Sequence, residues 1–525
     1  MPNYFHSTPL TTHYSPLTQA DAAIIGALDR AEPVAGPPDD AALARQSKND
    51  LGNARRLIAR HGDSLKFCDA VGPIAYNVTH WDIENGHALA LMLAHDTSEA
   101  VMAEREAEIK AGQREGETDE EFEERVKKLG LWSIASGNRS RAEAMLISAA
   151  PYLRAKLETF DADPWALNVA NGILRLNEPR VPDSPAPLYP HAPGARMTKI
   201  CPVAYDPLAE CPRWRKYISE VFEGADDVAL YVQKVLGYAL SGDIGEQKMW
   251  FFFGAGRNGK STIVQVVSRI LGTYSALTPV ATFLNKEHES GSGPSPDIAR
   301  LPGVRLLRTS EPKVGARLDE SIVKQISSGE PMAARHLRKD FFEFKPACKV
   351  IFSTNHKPTI VGKDEGIRRR IVLVPFMRQF PVNAQRGVSM ENMLLQEAPG
   401  ILNWLLEGLA LWFDEGLDMP PAVAAATKAY FDEMDPIGGF VAECCQRVPE
   451  CRADDTEQAT LLFRAYEAWC RQNNETPREQ TAFGRRMNDL GHPVKRGTGG
   501  VTYRIGLKLR PEFVPQMASR LGEEE

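Results

Sequence analysis

The sequence contains no apolar run near the roughly 18 residues that a membrane-crossing helix needs. Its first residues, MPNYFHSTPL, lack both the basic and the apolar stretch of a secretory signal. Cysteine is scarce: eight in 525 residues, at Cys68, Cys201, Cys211, Cys348, Cys444, Cys445, Cys451 and Cys470, with no CxxC pair. This excludes a disulfide scaffold and leaves the thiols as buried or idle groups of a reducing cytosol, with a zinc site as the alternative. Positive charge is not in excess either. The 62 Lys and Arg face 69 Asp and Glu, for a net −7. A uniformly basic nucleic-acid coat is therefore excluded, and any such contact needs locally focused charge. No repeat at solenoid periods is seen.

What remains is ordinary for a large soluble chain: 43% hydrophobic and 25% charged residues. At roughly 100–200 residues per domain, about three or four domains are expected. Residues 1–48, with six prolines and little apolar periodicity, read as a flexible arm with a short helix around Asp21–Arg30. Helical spacing begins with Leu51, Ala54, Leu57 and Ile58. Residues 103–128 are dense in Glu, Lys and Arg and read as a charged, solvated helix, with Thr118 to Glu121 as a capping box. Prolines at 179, 182, 185, 187, 190 and 193 mark a domain boundary. Beyond it, Met249–Phe253, Val304–Leu307, Val350–Phe352 and Ile371–Val374 are short, continuous apolar runs. Such runs suit buried parallel strands, and their alternation with helical segments predicts an α/β core between about 245 and 380. A helix over 399–417 follows.

Gly254-Ala-Gly256-Arg-Asn258-Gly259-Lys260-Ser261 fits GxxxxGK[ST], after a strand and before the helical stretch that runs from Thr262 to Leu271. Glycines let backbone N–H groups approach phosphates, and the helix N-terminus adds partial positive charge. Lys260 would reach the β and γ phosphates, and Ser261 or the adjacent Thr262 would offer a hydroxyl to Mg²⁺. Glu311, after the second apolar run, is the candidate acid for the Mg²⁺ shell or for orienting water. Asn355 ends the third strand, where open α/β sheets bind ligands. Arg368-Arg369-Arg370 reads either as a surface patch or as an arginine finger for a neighbouring subunit.

In this order the motifs resemble the superfamily 3 helicases. The likeness is closest to the helicase part of phage and plasmid primase–helicases, the family shared with the poxvirus helicase–primase. Further stretches carry it: 160–174, 236–242, 318–330, 344–358 and 366–376, so that it covers about 50–510. The resemblance implies a hexameric ring of AAA+-like modules with ATP at subunit interfaces. It makes Glu311 the Walker-B acid, Asn355 sensor 1, Arg370 the finger with Arg369 behind it, and Lys324 a second group acting across the interface. The segment between Gly329 and Pro346 looks like the channel hairpin, with Arg335, His336, Arg338 and Lys339 meeting DNA phosphates. Gly329-Glu330 stands where the family has Gly-Asp. Many relatives carry a primase–polymerase domain ahead of the helicase; here about 50 residues precede the helicase-associated region. Asp161-Ala-Asp163 reads as structural, and no primase activity is expected of this chain.

The last unit reads as a winged helix, with helices at 461–471 and 479–490 and a wing at 494–505. Residues 471–510 hold nine basic and three acidic residues, a net +6. Arg485, Arg486, Lys495 and Arg496 are its DNA-binding candidates. The expected layout is an arm (1–48), a helical helicase-associated domain (49–195) and a P-loop ATPase domain (196–400). A helical connector (401–454), a winged-helix-like domain (455–515) and a tail (516–525) complete it. The expected function is an ATP- and Mg²⁺-dependent hexameric DNA helicase of a phage, plasmid or prophage replication fork in the bacterial host cytoplasm, working with a separate primase or polymerase. Its rivals are an ATP-switched DNA-binding initiator without processive unwinding and a packaging or partition ATPase.

Overall fold

The computed structural model describes residues 38–511 and 513, except 179–185, 286–295, 314, 336–338, 340, 361–364, 382–388, 448–451, 453–454 and 474. The expected arm up to residue 37 and the tail lie outside the described residues. No described helix is long and apolar enough to cross a membrane.

The N-terminal region is not purely helical. Helix α1 (Asp50–His61) starts at Asn49, whose side chain accepts from Gly52 N at 2.8 Å. An antiparallel sheet follows, of β1 (Leu65–Cys68), β2 (Gly72–Tyr76) and β3 (Trp81–Asp82). Then come α2 (Gly86–Ala111), α3 (Asp119–Ser136) and α4 (Arg139–Ala149). The Thr118–Glu121 capping box opens α3 as expected. The solvated reading of residues 103–128 is corrected at two positions. Glu104 is wholly buried against Arg56, 2.8 Å away, and Glu108 is 4% exposed between Arg114 and Arg125. Buried charges persist only when paired, and these are paired with arginines. Strands β4 (Ala166–Val169), β5 (Gly172–Arg175) and β6 (Leu188–Tyr189) make a second antiparallel sheet. Strand β6 sits between Pro187 and Pro190, at a sheet edge where proline is tolerated.

Two helices lead into the core, α5 (Pro212–Val221) and α6 (Asp226–Tyr238). The core is one parallel sheet of β7 (Met249–Phe253), β8 (Ser275–Thr278), β9 (Leu306–Thr309), β12 (Lys349–Thr354) and β13 (Ile371–Pro375), in the order β13-β7-β12-β9-β8. Between β7 and β8 lies α7 (Lys260–Leu271). Helix α8 (Glu320–Ser328) and a hairpin of β10 (Met332–Ala334) and β11 (Phe342–Phe344) separate β9 from β12. Both faces of the sheet are covered, which explains the continuous apolar runs. Trp250, Phe252, Ile351, Val372 and Val374 face α6 and α7, while Met249, Phe251, Phe352, Ile371 and Leu373 face α8. Helix α9 (Ala398–Glu415) crosses α6 closely. A Cβ on Gly237 would stand 2.3 Å from Leu409 N, and one on Gly408 would stand 2.3 Å from Gln233 O.

Helix α10 (Pro421–Glu433) packs on β13. The last unit contains α11 (Pro436–Cys444), β14 (Cys445–Arg447), β15 (Thr456–Gln458), α12 (Ala459–Gln472), α13 (Gln480–Asp489), β16 (Val494–Arg496), β17 (Thr502–Ile505) and β18 (Leu507–Leu509). The two helices and the β16–β17 hairpin fall where a winged helix was expected. Their core also takes in Ile437, Phe440 and Val441, well ahead of residue 455.

Candidate active site

The sheet order decides where the site forms. Strand β7 lies between β13 and β12, with β9 next to β12. The loop after β7, Asn355 after β12 and Glu311 after β9 therefore meet at one carboxyl edge, in the crevice where open sheets take ligands. Gly256 and Gly259 have φ of +90° and +84°, conformations that glycine adopts without strain. Gly254 packs so tightly that a Cβ would stand 2.4 Å from Phe376 O. Helix α7 begins at Lys260 with no side-chain cap, so its first N–H groups are not claimed by a capping side chain.

Lys260 is 4% exposed. Its ammonium donates to Gly254 O (3.1 Å), to Asn258 Oδ1 (3.3 Å) and to Asn355 Oδ1. Burial lowers its pKa, and the Glu311 carboxylate opposes that shift. Glu311 is exposed, and its Oε1 accepts from Asn355 N at 2.6 Å. The acid, the amide and the lysine thus form one chain of contacts. Ser261 Oγ lies 3.4 Å from Ser353 Oγ, and Thr262 follows on the same helical turn. An uncapped helix start, a buried ammonium and a nearby hydroxyl and carboxylate fit a phosphate chain with a hard divalent cation.

Other expected site residues do not join it. Arg370 was read as the finger, and the structure corrects this. It is 7% exposed, and its guanidinium donates to Ser327 Oγ (3.1 Å), Ser328 Oγ (2.7 Å) and Gly366 O (2.5 Å). Burial and three bonds within its own chain weigh against its reaching a neighbour. Arg369 is exposed, 3.4 Å from Gln247 Oε1. Lys324 is half-buried on α8.

The β10–β11 hairpin is present where a channel hairpin was expected, with Met332 opposite Phe344. Arg335 lies over the Phe341 ring at 4.6 Å, and Lys339 is exposed. His336 and Arg338 lie outside the described residues. In the last unit Arg485, Lys495 and Arg496 are exposed. Arg486 is corrected: it is engaged in a bidentate pair with Asp435 at 2.5–3.2 Å and so is committed to the fold. Arg504, part of the basic count, is 5% exposed and donates to His492 O and Gly484 O. The Asp161 and Asp163 carboxylates are used within the fold, on Thr198 and on Trp165 N and Arg175. No group of three metal-ligating side chains occurs among the described residues.

The sequence reading missed the supports of the loop. Asn258 Nδ2 donates to Phe376 O (3.3 Å), and Tyr217 on α5 has its hydroxyl 3.4 Å from Gly259 O. Nothing in the local pattern marks these contacts, because their partners are distant in the chain.

Known families and proteins resemble parts of this chain in sequence. A family described as "D5 N terminal like" matches residues 54–223. A family of unknown function, DUF5906, matches residues 252–370 and so spans the phosphate loop. Protein L207/L206 of Acanthamoeba polyphaga mimivirus carries a helicase name. It is 26% identical over 253 residues, 45% of this chain and 26% of its own. Protein C962R of African swine fever virus carries a primase name. It is 23% identical over 345 residues, 61% of this chain and 34% of its own. The chain is thus similar in sequence to viral proteins that carry helicase and primase names. It spans about a quarter to a third of the length of these curated relatives. A solved structure, the apo C-terminal region of NrS-1, covers 58% of this chain and 77% of its own at 13% identity and a TM-score of 0.39.

Proposed function

We propose that this chain is the ATP-hydrolysing motor of a DNA replication helicase that works as a homo-oligomeric ring, with six subunits expected. The observation that carries the reading is the convergence of Lys260, Glu311 and Asn355 at one carboxyl edge beside an uncapped helix start. In this reading the first-turn N–H groups of α7 and Lys260 hold the phosphates. Glu311 and Asn355 orient the attacking water. Mg²⁺, held at Ser261 and Glu311, would neutralise charge on the phosphates. Arg369, exposed where Arg370 is buried, is the arginine offered to a neighbour's site. Lys324 is the second candidate for that interface. The β10–β11 hairpin carries Arg335 and Lys339 towards one DNA strand, and the exposed Arg485, Lys495 and Arg496 contact duplex phosphates.

The test is unwinding of forked DNA with 3′ or 5′ tails by the purified chain, with ATP and with a non-hydrolysable analogue. Strand separation with ATP alone on one tail polarity is the expected result. A chain that consumes no ATP, or stays monomeric with DNA and nucleotide, defeats the motor reading.

A further inference from the structure

The segment following β13 is laced to the phosphate loop. Phe376 N donates to Phe253 O at 2.7 Å, Phe380 N donates to Arg257 O at 2.7 Å, and Asn258 Nδ2 donates to Phe376 O at 3.3 Å. These bonds hold the backbone at Phe380 against the flank of the loop. The ring lies nearly parallel to Tyr217, 6.2 Å away at 12°, and Tyr217 is itself seated under Gly259. Phe380 is only partly buried, at the rim of the core and not within it. The Arg378 guanidinium lies 5.2 Å from the centre of the same ring. Its position is held by Glu220 O at 2.9 Å and by the Glu223 carboxylate.

A triphosphate on the first turn of α7 leaves a ribose and a base to be supported alongside the loop. We propose that Phe380 and Arg378 form the platform on which the nucleotide base stacks. The inference rests on the nucleotide reading above and deepens it by naming where the base is held. An aromatic face and a planar guanidinium attract any π-system, because stacking and cation–π contacts do not read base edges. The platform therefore grips a purine without strongly selecting adenine over guanine. Its carboxylate and carbonyl anchors hold the guanidinium beside the ring before the base arrives, which lowers the ordering cost of binding.

The test compares Mg-ATP, Mg-GTP and inorganic tripolyphosphate in calorimetric titrations of the full chain and its Phe380→Ala and Phe380→Trp variants. Tripolyphosphate has the phosphates and no base. Phe380→Ala is expected to weaken ATP and GTP about tenfold and to leave tripolyphosphate unchanged, with Phe380→Trp restoring both nucleotides. Equal weakening of all three probes would show that Phe380 only props the loop and would overturn the proposal. So would unchanged ATP affinity in Phe380→Ala. If ATP binds but is not hydrolysed, the motor reading falls, while the platform is still decided by these titrations.

Discussion

Each end of the parallel sheet holds a buried lysine, and the two lysines are held differently. At the carboxyl edge Lys260 donates to two side-chain amides, Asn258 and Asn355, and one carbonyl. At the amino edge Lys349, 2% exposed, donates to Ser241 O at 2.5 Å and lies 4.4 Å from the centre of the Tyr238 ring. Arg305 beside it donates to Leu240 O and to Ala166 O, the latter at 2.6 Å, over the Tyr274 ring. Ser241 and Leu240 follow the C-terminal end of α6, where the helix dipole favours a cation. Burial lowers the pKa of both lysines. Glu311 counters this at Lys260, whereas Arg305 adds to it at Lys349. A buried cation is thus not a site by virtue of burial. Lys260 is held mainly by side-chain amides that a ligand can displace, whereas Lys349 is held by the carbonyl and hydroxyl of one buried residue, Ser241.

That contrast can be broken by exchanging the two lysines' tests. Lys260→Ala should lower ATP hydrolysis by more than about 10²–10³-fold, the scale of losing a main electrostatic donor, with a melting temperature close to that of the parent. Residual hydrolysis near the parent rate would remove Lys260 from the site. Next in size is the arginine pair. Arg369→Ala should cost about 10³-fold in kcat as a trans group, and in mixed rings activity should fall faster than the fraction of unmodified subunits. Arg370→Ala should instead destabilise the chain, since it strips Ser327, Ser328 and Gly366 of their donor. The opposite pattern would restore Arg370 as the finger.

Lys349→Met is expected to cost about 1.5–3 kcal/mol of stability by orphaning the Ser241 carbonyl, while ATPase per folded molecule is kept. Its pH dependence sharpens the point. The folded pKa is pushed down from 10.5, so below that value the unfolded chain binds more protons. Lys349's contribution to stability is full above 10.5 and is lost as pH falls through the lowered folded value. Denaturation of parent and Lys349→Met chains across the alkaline range up to about pH 10 should show a rise in the parent that the variant lacks. Smallest in effect is the wing. Lys495→Ala and Arg496→Ala should each reduce the salt slope of DNA binding by about one unit, with stability unchanged. Arg504→Ala should unfold the unit before it alters any slope, because that guanidinium is spent on Gly484 and His492 carbonyls.

Much of the parallel-sheet core was legible. Four of its five strands were apolar runs with polar ends, and the phosphate loop is contiguous, so local conformation alone demands its glycines. Strand β8, Ser275–Thr278, was missed because its burial alternates and it has no apolar run. The strands of the N-terminal region were hidden by helical spacing on both sides. Glu104 looked solvated because its partner Arg56 lies 48 residues away. The basic count of the last unit overstated its free charge, since Arg486 is paired with Asp435 and Arg504 is buried.

What the sequence determined by itself is the chemistry that chain neighbours impose: a glycine turn, a lysine and hydroxyl at a helix start, and polar groups at the ends of buried strands. Only the tertiary structure decided which charges are available. Whether an arginine faces solvent or a carbonyl depends on segments far away in the chain, and the energy of burying a charge is set by those partners.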